Sequence, residues 1–364
     1  MKMRYSTDKT RSKRWGALLA VVLAFAMVTA ACGDDEASDD NVTLTLPFGE
    51  SMSFFETMMG DELGYFVDEG LNLEIQTSDG GSLALQQVIS GQSDFAFTSP
   101  GLVLTAAAEG NQLISLATRL QKNIFSVVVT DDSPIQTTED LRGGVLGVSD
   151  FAGGEMPLVR AALSLAGLTD GDDVEVLAVG DSSPAVLAAL QDGTVDAYAA
   201  DWFVFFGIEQ SGTPIREIIP AELANLTAEV LVATPQYVED HPDVVERMLT
   251  AMAKAAYFTT YDRDAALNIL RTRIPEEHED TAVAPDILAL FLNLAAIPES
   301  GGVQTWGVQS AAAWETWKTV LGDVTDTGSI NVADILDSSF IDKANDIDFD
   351  AVEKDADDRN LSYP

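Results

Sequence analysis

One cysteine, Cys32, and two histidines, His241 and His278, are all that 364 residues hold of thiol and imidazole metal ligands. A lone thiol excludes an internal disulfide framework, and two distant histidines leave little for a His-rich metal site or a Ser-His-Asp triad. Bases are scarce as well: 20 Lys and Arg face 59 Asp and Glu, a formal net charge of −39. Nucleic-acid binding needs clustered Lys and Arg, so no nucleic-acid partner is expected. No Walker A sequence, zinc spacing or EF-hand loop is present, so neither a cofactor nor a metal is expected. Yet 46% of the residues are hydrophobic, which sets the chain apart from acidic disordered proteins, and its length suits two domains.

Six of the bases lie at the start: Lys2, Arg4, Lys9, Arg11, Lys13 and Arg14, against Asp8. An uncharged apolar run from Trp15 to Ala31 follows and ends in Val28-Thr29-Ala30-Ala31-Cys32. Basic start, apolar stretch and small residues before a cut site predict a secretory signal peptide over 1–31. The run is marginal in length for a membrane span. A cysteine directly after two alanines resembles a bacterial lipobox, with Thr29 where leucine is usual. That resemblance implies a lipid on Cys32 and anchoring at the extracytoplasmic face of a bacterial cell membrane. Residues 32–40 are polar and acidic and predict a solvated tether. Cleavage after Ala31 removes six bases and one acid, taking the charge from −39 to −44.

From residue 41 the pattern alternates strands and helices, and it does so twice. Strands are expected at Val42–Leu46, Leu73–Gln76 and Asp94–Phe97, with helices between them, and again at Val145–Val148, Val174–Leu177 and Val195–Ala199. Gly91 and Asp94 recur as Gly193 and Asp196, both 102 residues later. Strand–helix–strand–helix–strand is the mark of a parallel sheet covered by helices, and two copies predict two similar lobes. Ligands of such sheets bind beyond the carboxyl ends of the strands. The loops 48–55, 78–82 and 98–101 of the first lobe and 149–155, 179–183 and 200–203 of the second should therefore face a common cleft. Ile124–Val129 and Val230–Ala233 are the candidate links between lobes. Beyond them, helices are expected from Pro242 and at roughly 263–272, 285–295, 309–320 and 331–343, packed on the first lobe and near the hinge.

Leu63-Gly64-Tyr65-Phe66 with Glu69-Gly70-Leu71, then Gly91-Gln92-Ser93-Asp94-Phe95, Leu141-Arg142-Gly143 with Gly147-Val148, Ala166-Gly167-Leu168 and Gly193-Thr194-Val195-Asp196-Ala197 follow one another in order. This series resembles the substrate-binding proteins for sulfonates, nitrate, taurine and thiamine-pyrimidine precursors, over about residues 42–345. The resemblance implies an α/β, two-lobed periplasmic-binding-protein fold of type II: two mixed sheets flanked by helices and joined by two hinge strands. It implies a monomer that delivers a small-molecule solute to ABC permease subunits. The corresponding domains are 41–125 for the first part of lobe 1, 126–229 for lobe 2, 230–345 for the return and C-terminal helices, and 346–364 for an acidic tail or helix.

Candidate ligand contacts come from the cleft loops. Phe54 and Phe55 follow the first strand, where relatives place a ligand contact. Trp202 begins a dense aromatic group and is a candidate wall for a planar or apolar body. Ser82, Ser99, Gly153 and Gly154 sit at helix starts, where hydroxyls and backbone N–H groups meet anions or carbonyl oxygens. Arg119 is a candidate clamp for a carboxylate or sulfonate, or else an ion-pair partner. Glu155 and Asp201, both in cleft loops of the second copy, are candidate acceptors for solute N–H groups. As a carboxylate pair they also carry the rival expectation, an enzyme on the same fold acting on a heterocycle or ester. Synthases of the same superfamily use a cysteine-rich motif that this chain lacks. A sensory or adhesive lipoprotein is the third reading, disfavoured by the absence of repeats and long low-complexity tracts.

Overall fold

The computed structural model describes residues 40–224, 226–279, 281–295, 305–322, 324–359 and 363. The expected signal peptide, Cys32 and all of the expected tether except Asp40 lie outside the described residues. Asp40 opens the first strand instead of ending a tether.

In the first lobe, β1 (Asp40–Leu46), β2 (Leu71–Thr77) and β3 (Phe95–Thr98) run parallel, joined by helices α1 (Phe55–Leu63) and α2 (Gly81–Ile89) and followed by α3 (Pro100–Ala108). After β4 (Ile114–Leu120) the chain crosses in residues 121–124 to β5 (Phe125–Thr130) in the second sheet. There β6 (Val145–Val148), β7 (Glu175–Ala178) and β8 (Ala197–Asp201) repeat the parallel trio with α4 (Met156–Leu165), α5 (Ser183–Asp192) and α6 (Trp202–Gln210). Edge strand β9 (Ile215–Glu217) follows, and residues 218–228 return the chain to β10 (Glu229–Ala233).

The two sheets have matching orders, β2-β1-β3-β10-β4 and β7-β6-β8-β5-β9. In each, the fourth strand is antiparallel to both neighbours and arrives from across the molecule. The expected linking strands thus belong wholly to a sheet, and the short segments before them make the crossings. The recurring aspartate has a physical reason. Asp94 Oδ2 accepts from Thr43 N at 2.8 Å, and Asp196 Oδ2 accepts from Val145 N at 2.8 Å. Each carboxylate ties the strand that follows its own helix to the start of the lobe's first parallel strand.

Alternation along the strands fills a core on each face. In the first sheet Phe95, Phe97 and Leu231 point into one core and Ala96, Val230 and Val232 into the other. In the second, Val127 and Val129 take one side, Val128 and Tyr198 the opposite one. Helix α7 (Pro242–Tyr261) covers the first core with Val245, Met248, Leu249 and Met252, and α8 (Arg263–Arg273) and α9 (Ala284–Leu294) extend it.

Helix α10 (Ala311–Leu321) packs against both lobes. Trp314 and Trp317 are wholly buried with Leu102 and Val103 of α3 and Leu158 and Ala161 of α4, and Trp317 Nε1 donates to Thr227 O at 2.8 Å. The helix expected over 331–343 is not formed. A 3-10 turn (Val332–Asp334) and a short helix (Ile341–Ala344) flank a stretch that pairs with β4: Ser115 N donates to Ile335 O at 2.8 Å and Asp337 N to Ser115 O at 3.0 Å. The unpaired edge of β4 has the stronger claim on that backbone. The acidic C-terminal stretch forms α11 (Phe349–Arg359), which buries Val352 and Ala356 against α7. Among the described residues no helix is long and apolar enough to cross a membrane.

Candidate functional site

All six loops at the carboxyl ends of the parallel strands border one cavity of about 430 Å³ between the sheets. A second chamber of about 320 Å³ adjoins it, and Phe48, Ile124, Asp181, Asp201, Val204 and Glu229 line both. The lobes meet at the mouth, where Ser82 N, in the first turn of α2, donates to Ala152 O across the gap at 3.1 Å. Gly80 makes this approach possible. It holds φ at +109°, and a Cβ there would lie 2.6 Å from Ala152 O.

Beneath the side chamber lies a buried charge network. Arg119 on β4 is 1% exposed. Its Nε donates to Glu229 Oε2 at 2.6 Å, its Nη2 donates to the same oxygen, and its Nη1 reaches Ser53 O and, at 3.4 Å, Glu56 Oε2. The guanidinium also sits 5.1 Å from the ring centres of both Phe54 and Phe97. Burial opposes its charge, but attraction from Glu229 and Glu56 outweighs that and holds its pKa above the ordinary value. Burial pushes both carboxyls up, against the pull of Arg119.

Arg119 therefore does not extend into the cleft as an anion clamp. Its donors are committed to acids of α1 and β10 and to the loop before α1. Phe54 and Phe55 do not line the cleft either. Phe54 stacks on Phe97 at 5.8 Å in the core, and Phe55 turns with α1 toward the opposite face. The ring exposed to the cavity is Phe48, tilted on Phe54 at 4.7 Å. Phe48, the first aromatic after β1, lies against Phe54, which belongs to the core.

On the opposite wall, Asp201 caps α6, its Oδ1 accepting from Phe203 N at 2.9 Å and Val204 N at 3.4 Å. Burial, with Asp181 and Glu229 adding like charge against those N–H groups, raises its pKa to about 6. Trp202 begins α6, lines the side chamber and stacks on Phe206 at 4.7 Å. Glu155 is 3% exposed; its carboxylate folds back to accept from Ser149 N at 3.1 Å and from the Ser149 hydroxyl. Desolvation raises its pKa, and Ser149 works against this. Gly153 makes the fold-back possible, since a Cβ there would lie 2.2 Å from Glu155 Oε2. Gly153 and Gly154 line the cavity, as does Ser99, whose hydroxyl caps α3 by accepting from Leu102 N at 3.4 Å. Ser82 holds the mouth through its backbone. Asp181 and Glu229 were missed by sequence reasoning. The first lies within an expected cleft loop, and the second is signalled only by an acid heading the apolar strand Val230–Ala233.

A family-level sequence profile described as "NMT1/THI5 like" matches residues 52–266. A Brucella abortus protein named as a binding protein is 26% identical over 223 residues, 58% of this chain, and the chain spans 65% of that relative's length. The formylaminopyrimidine-binding protein of Halalkalibacterium halodurans is 23% identical over 301 residues, covering 82% of this chain and 89% of the relative. The solved structure of the alkanesulfonate-binding protein SsuA from Xanthomonas axonopodis pv. citri superposes with a TM-score of 0.61 at 16% identity, over 83% of this chain and 99% of that one. At that identity the likeness speaks for the fold: two mixed sheets flanked by helices, as in periplasmic binding proteins.

Two outcomes test the site's electrostatics. Arg119→Met leaves Glu229 and Glu56 without their countercharge and should cost about 3–5 kcal/mol in urea unfolding; a loss under about 1 kcal/mol contradicts the network's role. For Asp201, a folded-state pKa above the unfolded one means that stability is lost as pH rises from the unfolded value through about 6. Asp201→Asn keeps the Oδ1 cap and removes that charge. Its melting temperature should exceed the parent's at pH 7.5, with the gap closing toward pH 4.

Proposed function

The chain belongs to the NMT1/THI5-like family, and on that premise we propose that it is the extracytoplasmic solute receptor of an ABC importer. It captures a small organic solute between its lobes and presents it to the permease subunits. One observation carries this reading: the cavity is bounded by matching loops of two duplicate lobes, so only the pair completes it. A solute touching both walls stabilises the arrangement in which they meet, through contacts that a more open arrangement lacks. The Ser82–Ala152 bond gives that arrangement a defined stop.

Binding, not turnover, is the reading favoured by the state of the candidate acids. Glu155 is folded back on Ser149, Asp201 caps a helix and Glu229 is tied to Arg119. The histidines lie away from the cleft: His278 Nδ1 is 2.8 Å from the Tyr363 hydroxyl, and His241 packs on Tyr237 at 4.8 Å. We assign the chain, as a monomer, to the outer face of the cell membrane through a lipid on Cys32. A diacylglycerol-plus-acyl modification holds firmly where one chain binds weakly.

Native mass spectrometry of the protein recovered from its host should find one small solute per chain, released unchanged. Conversion of that solute to a new species would replace the receptor reading with the enzymatic one. Trp202→Ala should weaken solute binding by about 1–3 kcal/mol; unchanged affinity in a folded variant removes Trp202 from the wall. Cys32→Ser should shift the protein from the membrane fraction to the soluble one, and retention in the membrane would mean an uncleaved anchor.

A further inference from the structure

The cleft holds many carboxylates and no free cation. Asp79, Asp150, Glu155, Asp181, Asp201 and Glu229 line the main chamber, and no Lys, Arg or His among the described residues joins them there. The one base lining the side chamber, Arg119, is neutralised from below by Glu229 and Glu56. Three of the acids, Asp181, Asp201 and Glu229, line both chambers and so mark their junction.

The junction has acceptors to spare. Glu229 is 7% exposed, lines both chambers and receives both Arg119 N–H groups on Oε2, and among the described residues no hydrogen bond falls on its Oε1. Asp201 uses Oδ1 for its cap and leaves Oδ2 free. Asp181 is exposed at the wall and makes no side-chain hydrogen bond. The side chamber carries the aromatic rings Phe48, Trp202, Phe203 and Phe291, and its two further acids are already engaged, Glu50 by Arg273 and Glu277 by Met52 N. Carboxylates gathered in a partly dry cavity repel one another, and an entering cation relieves that cost while an anion deepens it.

We propose that the solute is a compact organic cation bearing N–H groups, an ammonium, amidinium or guanidinium on an apolar body. Its nitrogen donates to Glu229 Oε1, Asp201 Oδ2 and Asp181 at the junction, and its body lies in the side chamber between Phe48 and Trp202. This rests on the receptor reading above. The arginine that could have clamped an anion here is occupied by the protein's own acids.

The test is calorimetric titration of the full mature protein with matched probes: benzylamine and phenylguanidine, against benzoate, benzenesulfonate and nitrate. The same protein, recovered from its host, is assayed by native mass spectrometry for the charge of its resident solute. The cations should bind and the anions should not, the resident solute should be cationic, and Asp181→Asn should weaken cation binding about tenfold. Asp181 is exposed and makes no side-chain hydrogen bond among the described residues, so this variant keeps its fold; Glu229→Gln is the stronger variant but takes from Arg119 one of its two countercharges. Anions binding as tightly as cations, an anionic resident solute, or cation binding indifferent to Asp181→Asn overturns the charge assignment and leaves the receptor reading standing. No solute in any arm overturns the receptor reading and this assignment with it.

Discussion

A buried arginine must be answered by buried acids, and the answer given to Arg119 organises much of the first lobe. Removing a guanidinium from water costs several kcal/mol even after relaxation, so its partners need close geometry and further hydrogen bonds. Glu229, Glu56 and Ser53 O supply them, and Phe54 and Phe97 lie within cation–π distance of the charge. These groups come from β3, β4, β10, α1 and the turn before it, so one charge fixes the mutual placement of five segments. Both β4 and β10 adjoin crossings between the lobes, which ties the network to the hinge. It also commits one oxygen of Glu229, a residue that lines the cavity, to Arg119.

The rest of the molecule is built by repetition, then braced at one place. Each lobe uses the same parallel trio, the same aspartate clamp and a reversed fourth strand from the other side of the chain. Two such lobes on two short crossings would have wide freedom. Helix α10 limits it, because Trp314 and Trp317 bury against α3 of one lobe and α4 of the other, and Trp317 is bonded to the returning crossing at Thr227.

The doubled strand–helix pattern was legible because its cause is local: alternating apolar residues, glycine turns and a recurring aspartate each act within a few residues. The cleft loops followed from topology alone. What escaped depended on partners distant in sequence. Arg119 reads as a free clamp until Glu229, on another strand, is known to lie beside it. Phe54 reads as a cleft residue until Phe97 is known to lie beneath it, leaving Phe48 as the exposed ring. Residues 331–343 carry helical periodicity, yet the open edge of β4 takes their backbone. In each case a tertiary partner outweighed a sound local preference.

An acidic chain would place some acids in any cleft by chance, so the number of carboxylates there says less than the location of the bases. Arg247 pairs with Asp40 and Asp243, Lys254 with Glu69, and Arg273 with Glu50 and Asp61, and none of these three bases lines either chamber. Among the described residues Arg119 is the one base that lines either chamber, and it arrives already paired. The two scales of charge then do different work. The net charge of the whole chain attracts cations from a distance and raises encounter rate, an effect that salt screens within about 8–10 Å. The free oxygens at the junction act at contact, in a low-dielectric pocket that salt screens far less. Selection between solutes of opposite charge therefore belongs to the few carboxylates at the junction, and it persists in a saline medium where the field of the surface has faded.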